Sequence, residues 1–205
     1  MLVRCGVRYL GFPLRLPVHR EDLSEAAAQA IIGGLPPPAM GVLITYLDRA
    51  ADIVAFCRAL GVRIVQLHGE VAVDELRRLR LLDPELTIIK SLVVGLQAEH
   101  ALQASLAAAS PWVDAFITDT FDPATGASGA TGRVHDWAVS RRLVAMSERP
   151  IILAGGLTAD NVAEAITLVQ PAGVDAHTGV EGADGRKSQV KVERFVTAAL
   201  AAFGR

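Results

Sequence analysis

The nine residues Arg4-Cys-Gly-Val-Arg-Tyr-Leu-Gly-Phe12, RCGVRYLGF, decide how the 205-residue chain is counted into structural units. Cys5 is either a thiol at the end of a first strand or a bystander ahead of the strand Tyr9-Leu-Gly-Phe12. Only Val7-Arg8-Tyr9 separates Cys5-Gly6 from Leu10. Neighbouring parallel strands need a crossover of about a dozen residues or more. Cys5 therefore cannot end a strand that lies beside residues 9–12, and it reads as a bystander ahead of that strand.

Outward from this point, short apolar runs rich in β-branched residues alternate with longer amphipathic stretches, the pattern of repeated βα units and a parallel sheet. Strands are expected at 9–12, 41–45, 64–67, 87–92, 113–117, 151–154 and 173–176, with helices beginning near Ser24, Asp48, Val73, Gln97, Trp137, Thr158 and Gln189. Thr158-Ala-Asp-Asn161 offers a side-chain cap ahead of Val162, Ala165, Ile166 and Val169, which share one helical face. Leu35-Pro-Pro-Pro38 ends a helix, because proline cannot donate to the helix ladder. Residues 120–136 are expected to form a long irregular loop, of a kind that usually carries function or is disordered. Residues 1–205 read as a single domain. Pattern alone leaves two architectures, an open doubly wound sheet and a (βα)8-type barrel one unit short. Both collect chemistry at the carboxyl ends of their strands.

With 51% hydrophobic but only 5% aromatic residues, the core must be aliphatic. A formal charge of −2 gives no basic excess for nucleic acid or an anionic membrane, and no apolar run approaches the roughly 20 residues of a membrane span. Two cysteines, Cys5 and Cys57, cannot build a disulfide framework, and no signal-like segment opens the chain, so a reduced cytoplasmic setting is expected.

The strand ends carry the candidate chemistry. Leu153-Ala-Gly-Gly-Leu157 and Asp175-Ala-His-Thr-Gly-Val-Glu181 end the last two strands with glycines that let backbone N–H groups approach a ligand, as phosphate sites of barrels do. Glycine is also what any tight strand-to-helix turn needs, so the pair of loops is the signal rather than either one alone. Asp119 follows an apolar strand and is placed for general acid or base work, or for a turn. His68, in Gln66-Leu-His-Gly69, is a proton carrier or a loop-satisfying side chain. Lys90 is a charge inside a strand that must reach the strand ends or pair with a carboxylate. Arg20 presents a planar fork suited to a substrate carboxylate. His19, His100, His135 and His177 show no metal-ligand spacing, and no metal is expected.

Together these motifs resemble the phosphoribosylanthranilate isomerase family of tryptophan biosynthesis. The resemblance rests on Leu10-Gly-Phe12 with Arg20, Val65-Gln-Leu-His-Gly69, Ile89-Lys90, Asp119-Thr120, Gly129-Ala-Thr-Gly132 with Asp136-Trp137, Leu153-Ala-Gly-Gly-Leu157 with Asn161-Val162, and Val174-Asp175 with Thr178-Gly-Val-Glu181. It implies an α/β fold, a TIM (βα)8-type barrel lacking its first βα unit, and an Amadori rearrangement of N-(5-phosphoribosyl)anthranilate with no cofactor. It further implies that Asp119 is the general acid, that Arg20 meets the anthranilate carboxylate and that Asp175 orients the sugar. Gly155, Gly156, Thr178, Gly179 and Val180 would line the phosphate site. The implied partner is a small phosphorylated substrate with an aromatic carboxylate, and homo-oligomer formation is compatible with this reading.

The departures from the family pattern are His177 in place of a small serine, Ala130 in place of glycine, and His135 in place of the phenylalanine before Asp136-Trp137. The family's first strand carries Lys-Ile-Cys-Gly, whose cysteine is the general base, whereas Cys5 falls in the register of the first helix. The expectation is low turnover by the chain as written, from a late-assigned start or a natural seven-unit form. Two other readings stay open, a catalytically inactive phosphate-binding barrel with a regulatory or binding role and an aldose–ketose isomerase for a different ribosyl amine.

Overall fold

The computed structural model describes residues 1–16, 23–122, 127–128 and 134–204. They fall into two compact units, one of Arg8–Ser91 with Ala108–Ala115 and the other of Met1–Val7, Leu92–Ala107 and Phe116–Arg205. The first is called N-proximal and the second C-proximal.

The N-proximal unit is laid out as β1 (Tyr9–Pro13), α1 (Glu25–Gly33), β2 (Met40–Thr45), α2 (Ala50–Leu60), β3 (Ile64–Leu67), α3 (Val73–Leu82) and the first part of β4 (Thr87–Val94). Strands β1 to β4 pair in parallel, in chain order. Leu43, Ile64, Val65, Leu67 and Ile88 are almost wholly buried, as expected for parallel strands whose two faces are both covered. Each such side chain contributes about 1.5 to 3 kcal/mol by leaving water. Ser24 caps α1 by accepting from the Ala27 N–H at 3.2 Å. Glu75 lies between the first turn of α2, where it accepts from the Ala50 N–H at 2.8 Å, and Arg78 at 2.9 Å. A carboxylate at a helix N-terminus meets unpaired N–H groups and the positive end of the helix dipole. These contacts, with the Ala50 bond foremost, hold its carboxyl below the usual range.

The C-proximal unit contains the end of β4, most of α4 (Glu99–Ala109), β5 (Ala115–Asp122), β6 (Ala127–Ser128), α5 (Trp137–Met146), β7 (Ile151–Leu153), α6 (Val162–Val169), β8 (Gly173–Val174) and α7 (Gln189–Ala202). Strands β5, β7 and β8 are parallel, and β6 pairs antiparallel with β5. Val162, Ala165, Ile166 and Val169 do form the buried face of α6, packed with Leu153, Leu157 and Phe195 in one aliphatic cluster.

Two details differ from expectation. The strand expected to stop at 117 continues to Asp122, because β6 supplies an antiparallel partner at Phe121↔Ser128 and Asp122↔Ala127. Asp119 therefore lies within a strand, and residues 120–122 and 127–128 of the expected irregular loop are strand, while 123–126 and 129–133 lie outside the described residues. Helix α6 starts at Val162, with Thr158 to Asn161 forming a turn ahead of it. Among the described residues no strand precedes β1. Leu2–Cys5 is a 3₁₀ turn closed by Gly6 at φ 89°, and Cys5 packs against the cluster that includes α7.

Candidate functional site

The site is built at the carboxyl ends of β5, β7 and β8 in the C-proximal unit. Strand pairing aligns Ile117 with Ile152 and Leu153 with Val174. Continued past the paired segments, this register sets Asp119, Ala154 and Asp175 at one level. In parallel strands, residues in register face the same side of the sheet. The two carboxylates thus share a face, with a small side chain between them.

Asp119 is 8% exposed and accepts a hydrogen bond from the Thr120 N–H at 2.8 Å. Burial pushes its carboxyl up to about 6, against the opposing effect of that bond. Asp175 is also raised, by loss of solvent first and then by the charge of Asp119, while His177 and Lys187 pull it down. Its residue surface is exposed, so water weakens the first cause and the Asp119 charge is the one that matters. Two carboxyls whose charges repel, one of them buried, form a group that binds a proton more tightly than an ordinary carboxylate.

The glycines are explained by close approach. Gly155 and Gly156 have φ of +98° and +65°, which side chains rarely adopt. A Cβ on Gly155 would also run into Thr120 Oγ1, and one on Gly179 would run into the Leu157 carbonyl. Asn161 braces the glycine turn, accepting from the Thr158 N–H at 2.8 Å and donating to the Gly156 carbonyl at 3.0 Å. The sequence pattern had read this asparagine only as a helix cap. Thr178–Val180 forms a 3₁₀ turn, in which the Val180 N–H reaches the His177 carbonyl at a long 3.4 Å.

Lys187, which no sequence signal singled out, anchors this last loop. Its ammonium donates to the His177 carbonyl at 3.0 Å and to Glu181 at 2.7 Å, and lies 3.1 Å from His177 Nδ1. An ammonium has no acceptor, so the imidazole accepts at Nδ1, and Nε2 lies 3.4 Å from Glu181. His177 is thus held by its own loop.

His135 also gains a place that its spacing did not reveal. It shares hydrogen bonds with Thr120 Oγ1 at 2.9 Å and Ser140 Oγ at 2.6 Å. Burial pushes the imidazole down to about 4, against the pull of Asp136, so it is neutral at pH 7. A cavity lined by Val94, Glu99, Leu102, Thr120, His135 and Asp136 meets this pair but neither Asp119 nor Asp175.

The remaining candidates belong to the N-proximal unit. His68 lies 3.4 Å from Ser91 Oγ and edge-on to Tyr46, and Gln66 donates to the same hydroxyl. Lys90 donates to the Gly69 and Ser91 carbonyls at 3.1 and 3.0 Å. Burial lowers its pKa, with Glu70 opposing. Arg20 lies outside the described residues. Among those described, no three His, Cys, Asp or Glu side chains gather as a metal site, and no helix is long and apolar enough to cross a membrane.

Comparison with known proteins adds to this geometry. The model of one protein family, N-(5'phosphoribosyl)anthranilate (PRA) isomerase, matches residues 8–198. N-(5'-phosphoribosyl)anthranilate isomerase 2 of Methanosarcina mazei is 41% identical over 198 residues, covering 96% of this chain and 86% of that protein. The N-(5'-phosphoribosyl)anthranilate isomerase of Haloferax volcanii is 38% identical over 97% of this chain and 86% of its own length. The crystal structure of phosphoribosyl anthranilate isomerase from Thermotoga maritima superposes with a TM-score of 0.81 at 26% identity, over 98% of this chain and 91% of that one. The fold class is the TIM-type barrel class expected from the sequence, with seven parallel strands and seven helices described here.

Proposed function

The chain belongs to the N-(5'-phosphoribosyl)anthranilate isomerase family, and from that premise we propose how its own residues carry the reaction. The activity is isomerisation of N-(5'-phosphoribosyl)anthranilate to 1-(2-carboxyphenylamino)-1-deoxyribulose 5-phosphate in tryptophan biosynthesis.

In the proposed mechanism the neutral carboxyl of Asp119 donates its proton to the furanose ring oxygen. The C1–O bond breaks, and the anthranilate nitrogen supplies the electron pair that makes the C1 iminium. A base then takes the C2 proton, and the resulting enolamine becomes the aminoketone. The substrate nitrogen is the electron sink, so the sequence of steps calls for no cofactor. Cys5 is not that base in this reading, since it sits on the 3₁₀ turn beside Glu193. Gly155, Gly156, Thr178, Gly179 and Val180 hold the phosphate, mainly through backbone N–H groups. Asp175 orients the sugar hydroxyls, and Arg20 meets the anthranilate carboxylate.

The observation that carries the reading is Asp119, a buried strand carboxyl raised to about 6. A general acid serves best when its pKa lies near the working pH, and with this value about a tenth of the molecules hold the proton at pH 7. The test is steady-state conversion of N-(5'-phosphoribosyl)anthranilate by the intact chain and by Asp119→Asn. Turnover that the substitution abolishes is expected. Binding of the phosphorylated substrate without turnover would favour the non-catalytic phosphate-binding reading, which the family relatives do not support. We further place the protein in the cytoplasm, consistent with its free Cys5 and Cys57. Homo-oligomer formation is to be tested by light scattering.

A further inference from the structure

We propose that His135 is a positioning residue that holds the acid of the reaction and the glycine turn beside it in one fixed arrangement. This rests on the reading of Asp119 as the acid. His135 connects three elements of the C-proximal unit. Its Nδ1 is bonded to Thr120 Oγ1 on β5, and its Nε2 is bonded to the Ser140 hydroxyl on α5, which is fully buried. The Thr120 N–H in turn donates to Asp119 Oδ1. A Cβ at Gly155 would strike Thr120 Oγ1 and come within 3.1 Å of His135 Nδ1, so the glycine turn packs directly on the same pair.

The chemistry of the imidazole suits this task. A neutral ring has one donor nitrogen and one acceptor nitrogen, whereas a hydroxyl can be either. Thr120 and Ser140 can therefore both be satisfied in either tautomer, and a half-buried ring bonded at both ends has little freedom to rotate. A phenylalanine of similar outline would fill the space and leave both hydroxyls without this partner. The backbone at Thr120 would then be fixed by strand pairing alone, and the N–H that orients the Asp119 carboxyl would lose one of its constraints. His135 itself exchanges no proton with the substrate.

Three variants and two readouts test the proposal. His135→Phe removes both bonds, His135→Asn keeps an amide near the Nδ1 position for Thr120, and His135→Gln reaches toward Ser140 alone. In the isomerase assay, His135→Phe is expected to lower kcat about tenfold with KM changed less than twofold, and His135→Asn to recover most of that loss while His135→Gln does not. The second readout needs no activity. The Asp119 carboxyl, assigned by its absence in Asp119→Asn, is titrated by carbon NMR in the wild-type and His135→Phe chains. Losing the oriented Thr120 donor destabilises the carboxylate, so its midpoint should move upward from about 6. A merely structural role would lower the melting temperature in all three variants, with kcat falling only in proportion to the folded fraction and the midpoint unmoved. That result, or equal kcat for His135→Asn and His135→Gln, overturns the proposal. If wild type shows no turnover but the midpoint still moves in His135→Phe, the assigned reaction fails while the positioning role stands.

Discussion

The strand ends of the two units are both polar, but they are held in opposite ways. In the N-proximal unit the polar atoms close on one another. Lys90 donates to two backbone carbonyls, and Gln66 and His68 converge on Ser91. Burial lowers the Lys90 pKa as well, but in the C-proximal unit it moves Asp119 up to about 6, within reach of the working pH. The turn beside it is kept open by glycines at positive φ. A satisfied network stabilises a fold, whereas a carboxyl whose proton is held more tightly by burial can give it up to a reaction near the working pH. On the proposed mechanism the C-proximal ends are the reactive ones.

The largest effect expected from breaking this contrast is at Asp119. Asp119→Asn should lower kcat by at least about a hundredfold, the usual scale of a lost general acid. Its effect on stability should have the opposite sign. The folded pKa of about 6 lies above the ordinary 3.8, so the folded chain binds this proton more tightly than the unfolded chain. The cost is absent below pH 3.8, grows between 3.8 and 6, and is complete above 6. A shift of that size corresponds to at most about 3 kcal/mol. Asn carries no charge to bury, so the variant should be more stable than wild type at pH 8 and lose that advantage near pH 4. Urea unfolding at the two pH values measures this. A variant that is less stable at pH 8 would place the carboxylate in a satisfied network and erase the contrast.

The glycine turns offer a second break of intermediate size. Gly179→Ala drives a Cβ into the Leu157 carbonyl, so the 3₁₀ turn must shift. Overpacking of this kind costs about 1 to 3 kcal/mol. If the turn binds phosphate, KM should rise more than tenfold while kcat falls less, and inorganic phosphate should inhibit the variant more weakly than wild type. A change in stability with KM untouched would leave the turn a purely structural closure. The converse test lies in the N-proximal unit. Lys90→Met removes the ammonium and leaves the Gly69 and Ser91 carbonyls without that donor, at a cost of about 1 to 2 kcal/mol offset by no longer burying a charge. Its kcat should fall far less than that of Asp119→Asn. Equal losses would show that both sets of strand ends are reactive.

These contrasts were legible in the sequence to different depths. The aliphatic strands could be found because a parallel strand buried on both faces is a continuous run of Val, Ile and Leu, as in Gly41-Val-Leu-Ile-Thr45 and Ile64-Val-Gln-Leu67. Asp119 and the Gly155-Gly156 pair could be found because polar and glycine residues stand out after such runs. The extension of β5 was not visible, since its partner among the described residues, Ala127-Ser128, has no hydrophobic signature. His135 registered only as a departure from a family pattern. Its partners lie 15 and five residues away and meet it only after β5 and α5 have packed. Lys187 lies in a polar loop ten residues from His177, and nothing local distinguishes it from a solvated lysine.

The smallest effect is expected at Cys5, where the first residues of the chain were hardest to read. A thiol can serve as a base only if it reaches the substrate and its thiolate is stabilised. Cys5 sits on a 3₁₀ turn, with Sγ 3.8 Å from Met1 Sδ and 3.9 Å from the Glu193 carboxylate on α7. Cys5→Ser keeps the size and a donor toward Glu193. It should change stability by no more than about 0.5 kcal/mol, as surface substitutions do, and kcat by less than twofold. Iodoacetamide treatment of the wild-type chain, with modification of Cys5 followed by mass spectrometry, should leave turnover unchanged. Loss of turnover in step with Cys5 modification, matched by loss in Cys5→Ser, would make this turn a second reactive region and reverse the reading of residues 4–12.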